Sequence, residues 1–136
     1  MAPRAGVGVV VSLLERDEAA QLELEHEGEV VRLNGIDFIS FPIPDRGVPA
    51  SLLLALPLLK KIAGALEEGK NVAVHCRQGI GRSGMIAAGV LMSSGLGTED
   101  AIKAVSNARG VPVPETPAQV EWLHHLSSAH AVAHFS

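Results

Sequence analysis

Asn71-Val72-Ala73-Val74-His75-Cys76-Arg77-Gln78-Gly79-Ile80-Gly81-Arg82-Ser83-Gly84 is the stretch on which the reading turns. Asn71–His75 has the short, apolar, β-branched character of a buried strand. From Arg82 to about Ser94 the apolar spacing becomes helical. A strand that runs through a glycine-rich loop into a helix aims unpaired backbone N–H groups, and the positive end of the helix dipole, at the mouth of the loop. Cys76, the only cysteine of the chain, lies in that turn with five residues between it and Arg82. Such surroundings lower a thiol pKa from ~8.5 into the range ~3.5–7.5, so the sulfur is expected as thiolate. The same amides suit the non-bridging oxygens of a phosphate, and the fork of Arg82 suits two of them at once. Gly79, Gly81 and Gly84 permit close backbone approach. The Ser83 hydroxyl is placed to donate to the sulfur, and the His75 ring to anchor the loop. Alone, a cysteine after a strand is usually a small buried hydrophobe. The conjunction with His75, the five-residue gap, Arg82 and Ser83 reverses that reading.

Outward from this loop, strands alternate with helices. Gly8–Leu14 reads as a Val-rich buried strand, followed by short helices over about 15–22 and 25–33. Asn34-Gly35 marks a stop, and 36–43 alternates as a second strand. Pro42, Pro44, Gly47 and Pro49 stiffen a loop with Asp45-Arg46 at its tip. Helical spacing over 52–68 is interrupted by Pro57, which either starts that helix or kinks it. After the loop helix, Gly95 and Gly97 form a break, and Thr98 is an N-cap for a helix to about Ala108. A last helix begins at Pro117. This pattern predicts an α/β sandwich around a mainly parallel sheet. The 136 residues form a single domain, 1–136, with no internal linker.

Composition narrows the function. A net charge of −4 and pI near 5.8 exclude a general binder of nucleic acid or of anionic membranes. Phosphate recognition must then be local. The apolar run Val7–Leu14 leads into Glu15-Arg16-Asp17-Glu18 with no cleavage site, so it reads as a strand rather than a leader. One cysteine fits a reducing compartment, and a cytoplasmic location is expected.

The loop resembles the signature of the cysteine-dependent tyrosine and dual-specificity phosphatase superfamily. Other cysteine loops fit less well. A rhodanese-like loop would close at position 81, which is Gly81. Low-molecular-weight tyrosine phosphatases carry their loop near the N-terminus, and arsenate reductases of the disulfide-relay type need further cysteines. A nucleotide P-loop needs Gly-Lys-Ser/Thr. The resemblance runs from about Val7 to Leu126. It implies a three-layer fold with a twisted, mostly parallel sheet of four to five strands flanked by helices. Because only six residues precede Val7, the domain is expected to be N-terminally short, lacking a first strand. An exposed sheet edge would follow, and with it a homodimer.

By the same resemblance, Cys76 is the nucleophile of a cysteinyl-phosphate intermediate. Arg77, Gln78, Gly79, Ile80, Gly81 and Arg82 line the phosphate site. A general acid is needed for the leaving oxygen. Asp45, 31 residues before Cys76, lies in Phe41-Pro42-Ile43-Pro44-Asp45-Arg46-Gly47-Val48-Pro49. That segment resembles the acid loop of dual-specificity enzymes, especially the kinase-associated type. Asp37, Glu67, Glu68 and Asp100 are weaker candidates. Arg109 and Gln119 resemble residues that support the pocket, Gln119 by positioning water. His124, His125, His130 and His134 read as solvated tail residues; neither metal nor other cofactor is expected. With no Tyr, one Trp and three Phe, a shallow pocket for both phosphotyrosine and phosphoserine/threonine is expected. Phosphoinositides, small phosphate esters, or phosphate binding with weak turnover are the alternatives.

Overall fold

The computed structural model describes residues 7–77 and 81–135, the last seven of these by backbone only. Three strands, β1 (Val9–Ser12), β2 (Asp37–Ser40) and β3 (Val72–His75), form a parallel sheet in the order β2-β1-β3. Val9 pairs with both Asp37 and Val72, and Ser12 with both Ser40 and His75. The register therefore brings the C-terminal ends of all three strands to one side. In open parallel sheets the crevice beyond those ends is where ligands bind.

The expected α/β class with a parallel sheet is observed, but among the described residues the sheet has three strands, not four or five. The Val-rich segment that opens the chain is the central strand and is buried along its length apart from Val10. β3 is an edge strand whose four residues are all half-buried. Beside it lies a shallow apolar cavity of about 240 Å³, lined by Ile62, Leu66, Val72, Val74, Ala87, Val90 and Leu91.

Helices α1 (Arg16–Gln21) and α2 (Glu27–Leu33) connect β1 to β2, and α2 packs on β2. α3 (Leu52–Glu67) leads to β3, followed by α4 (Gly81–Ser93), α5 (Thr98–Arg109) and α6 (Pro117–Phe135). α4 is the hub. It packs on α3, α5, α6 and β3, and Gly81, Arg82, Ser83, Gly84, Met85, Ile86, Ala88, Gly89, Val90 and Met92 are all buried. A helix buried on nearly every face belongs to the interior, and its neighbours Leu59, Leu123 and Leu126 are fully buried with it. The close packing demands small residues on α4. A Cβ at Gly84 would lie 3.0–3.3 Å from three side-chain atoms of Val113. Gly84→Ala is accordingly expected to cost about 1–3 kcal/mol, read as a lower urea midpoint.

Pro57 is expected to start or kink its helix, and the start is ruled out; the N-cap expected at Thr98 is corrected. Pro57 sits inside α3 without ending it, because the helix has already begun at Leu52, capped by Ser51 Oγ accepting from Leu53 N at 3.1 Å. The N-cap of α5 is Gly97, with Thr98 as the first helical residue. Among the described residues, no helix is long and apolar enough to cross a membrane.

Candidate active site

Arg82 occupies the first turn of α4, where the helix is most deeply enclosed, and its side chain is only 2% exposed. A buried guanidinium is costly unless its donors are paired, and here the pairing is specific. Nη1 donates to Glu18 Oε1 at 2.6 Å and to the Ile43 carbonyl at 2.9 Å; Nη2 donates to Glu18 Oε2 at 2.8 Å. These bonds use the end of the fork and the outer Nη1–H. The side edge of the guanidinium, Nε–H with the second Nη2–H, is the edge they do not use. Two parallel donors on one edge match two oxygens of a carboxylate or phosphate.

Glu18 was not recognisable from the sequence. It lies 64 residues from Arg82, in the charge run Glu15-Arg16-Asp17-Glu18, which reads as solvated. The fold buries it: α1 follows the central strand directly, and Glu18 Oε1 accepts from Glu15 N at 3.0 Å across the first helical turn. The Arg82 hydrogen bonds hold the Glu18 carboxyl below its ordinary pKa, against the opposing effect of burial. In return, Arg82 is held more firmly protonated, chiefly by Glu18, with Cys76 and Asp45 adding attraction.

Asp45 stands beside the guanidinium, with Oδ1 3.5 Å from Arg82 Nη2 and its side chain 64% exposed. Its loop follows β2 over the C-terminal end of the sheet, tied down by Ile43 N donating to Leu13 O at 3.0 Å. Cys76 directly follows β3 and is half-buried, packed against the core. Ser83 is fully buried, and its hydroxyl has no hydrogen-bond partner among the described residues. Thus Cys76, Arg82, Ser83 and Asp45 share one end of the sheet. Gln78, Gly79 and Ile80 lie outside the described residues.

His75 ends β3, and its Nε2 is 2.8 and 3.1 Å from the two carboxylate oxygens of Glu27 in α2. Glu27, 48 residues away, is the second partner that no local pattern could reveal. Arg77 is exposed and turned aside: Nη1 donates to Gln21 Oε1 at 2.9 Å, so its side chain faces α1. Arg109 is exposed at the end of α5, where the helix dipole alone accounts for a cation. Gln119 is fully buried, but its amide is occupied. Oε1 accepts from Glu115 N and Thr116 N at 3.0 and 3.2 Å, while Nε2 donates to Gly47 O at 3.0 Å. These three hydrogen bonds run to the backbone of the acid loop and of its own turn. His124 and His125 are exposed; the side chains of His130 and His134 lie outside the description. Among the described residues, no three His, Cys, Asp or Glu side chains are grouped to share a metal ion. Trp122 is in the core, 6% exposed, and so is not available as an aromatic wall.

Residues 3–96 match the family Tc-R-P, described as a DSP-PTPase phosphatase of polymorphic toxin systems. The cyclin-dependent kinase inhibitor 3 of Rattus norvegicus is 26% identical over 122 residues, which are 88% of this chain and 57% of that protein. Among solved structures, kinase associated phosphatase with its catalytic cysteine replaced by serine superposes with a TM-score of 0.84. It is 23% identical, and the match covers 93% of this chain and 71% of that one. A mutant form of Tk-PTP gives a TM-score of 0.80 at 32% identity, covering 95% and 82%. The chain therefore spans a little over half the length of the rat relative.

Proposed function

Because the chain belongs to the DSP-PTPase phosphatase family, we propose that it hydrolyses phosphomonoesters of protein tyrosine and serine/threonine through a cysteinyl-phosphate intermediate. One observation carries the proposal. Arg82, held by Glu18 through both Nη atoms, lies 3.5 Å from Asp45 and within electrostatic reach of Cys76.

In the first step, Cys76 Sγ⁻ attacks phosphorus in line with the ester oxygen. The S–P bond forms, the P–O bond to the leaving group breaks, and Asp45 passes its proton to the departing oxygen. Arg82 and the loop amides hold the charge on the three equatorial oxygens. In the second step, Asp45, now a carboxylate, takes a proton from water as that water attacks phosphorus. The S–P bond breaks, inorganic phosphate leaves, and the thiolate returns. Ser83 Oγ–H is the donor that steadies the sulfur as it departs. Arg82 and the amides supply the positive charge, so the reaction is expected without metal.

Hydrolysis of an aryl phosphate in the presence of EDTA tests this reading. Turnover is expected in the wild type, with vanadate inhibiting, and none above background in Cys76→Ser. Activity that survives Cys76→Ser, or disappears with chelation, contradicts it.

A further inference from the structure

The tip of the loop that carries Asp45 is held from outside the loop as well as by its own turn. After Asp45 the chain turns through Arg46, whose φ of +63° lies in the left-handed region, sparsely populated by residues with a side chain. Gly47 N closes the turn on Pro44 O at 2.8 Å. This strained tip is gripped from outside by the turn that starts α6. Arg46 Nη1 is 3.3 Å from Glu115 Oε2. Thr116 Oγ1 donates to Arg46 O at 3.5 Å, and Gln119 Nε2 to Gly47 O at 3.0 Å. Gln119 also locks its own turn, through the two backbone N–H groups bound to Oε1. The same turn presses on the other half of the site: a Cβ on Gly81 would meet Glu115 Oε1 at 2.8 Å and Gln119 Oε1 at 3.3 Å.

One buried amide therefore touches the acid loop on one side and the start of the Arg82 helix on the other. We propose that Gln119, with the Arg46–Glu115 pair, is a positioning device that sets where Asp45 stands relative to the phosphate held by Arg82. These residues act on the proton transfer through Asp45 and do not themselves touch the reacting atoms. The inference rests on the reading of Asp45 as proton donor. It differs from a water-positioning role in being argued from the three hydrogen bonds that the Gln119 amide makes to backbone.

A misplaced acid matters in proportion to how badly the leaving group needs a proton. Steady-state kinetics are therefore compared on two substrates, phenyl phosphate and an aryl phosphate with strongly electron-withdrawing substituents, with inorganic phosphate as competitive inhibitor. Gln119→Met, Arg46→Ala and Glu115→Gln are measured beside Asp45→Asn. Arg46 is 61% exposed at its side chain and Glu115 33%, so these two variants test the idea without disturbing the core.

The expected result is a fall in kcat/KM, which reports the phosphorylation of Cys76 and not the second step shared by both esters, of roughly 10- to 100-fold on phenyl phosphate. The fall should be within about threefold on the activated ester, with the phosphate inhibition constant unchanged. Equal losses on both esters, with weakened phosphate binding, would mean general damage and overturn the proposal. Wild-type kinetics in all three variants would also overturn it, provided Asp45→Asn shows the leaving-group-dependent loss. If Asp45→Asn shows no such loss, it is the acid assignment that fails, and the inference falls with it.

Discussion

Replacing Asp45 by Asn is expected to lower kcat on a poor leaving group by about 10²–10⁴-fold. The carboxamide keeps the size and polarity of the side chain but has no proton to give at neutral pH. The expelled phenoxide or alkoxide would then leave unprotonated, at a much higher barrier. The second step loses its base as well, since the amide cannot take a proton from water. Two further signatures separate this from a binding defect. The alkaline limb of the pH–rate profile, where the wild type loses its donor proton, should vanish in Asp45→Asn. Phosphate affinity should stay close to wild type, because the proposed clamp is Arg82 and Asp45 is largely exposed beside it. An unchanged profile would assign the proton to another group.

Removing Glu18 is expected to have the largest effect on the fold and a comparable one on the site. Glu18→Ala leaves the Arg82 guanidinium 2% exposed and without its carboxylate. Breaking one half of a buried ion pair typically costs about 3–5 kcal/mol, a large part of the stability of a domain this size. The phosphate edge of Arg82 should also lose its aim, because the two bonds to Glu18 fix the plane of the guanidinium. Phosphate inhibition is therefore expected to weaken at least tenfold, or about 1.4 kcal/mol. The double substitution Glu18→Leu with Arg82→Met should recover much of the stability, since it removes both charges, but none of the activity.

The pair also sets a pH dependence. The folded pKa of Glu18 lies below its ordinary value of 4.5, chiefly through its hydrogen bonds with Arg82. Its contribution to stability is thus complete above about pH 4.5 and is lost as pH falls through the depressed value. Urea midpoints measured on the acid side of pH 5 should fall more steeply in the wild type than in the double variant.

Much of this architecture was legible in the sequence because it is written locally. The strand before Cys76 and the buried helix that begins at Gly81 are near neighbours in the chain, and each follows from its local pattern. The Pro-rich loop around Asp45 was legible for the same reason. What the sequence concealed is pairing at a distance. Glu18 and Glu27 sit in stretches whose charge density reads as a solvated surface. They become partners of Arg82 and His75 only when β1 is placed centrally and its following helices fold back over the C-terminal end of the sheet. Gln119 was singled out for a role in the pocket, yet only the register between α6 and the acid loop reveals which atoms it holds. The inward turn of Arg82 and the outward turn of Arg77 likewise depend on which carboxylate or amide lies nearby. No spacing rule carries that information. Pro57 teaches the same lesson on a smaller scale, since the packing of Ala55, Leu58, Leu59 and Ile62 in the core carries α3 through a residue that local propensity counts against.

The anionic sulfur on which the whole mechanism depends is open to direct measurement, because Cys76 is the only cysteine and its alkylation can be read from intact mass. Modification by iodoacetate, followed as a function of pH, should proceed readily at neutrality, with an inflection well below the ~8.5 of a free thiol. Inorganic phosphate should slow it by occupying the loop. A sulfur that stays inert until the solution is alkaline, and that phosphate does not protect, would contradict the account.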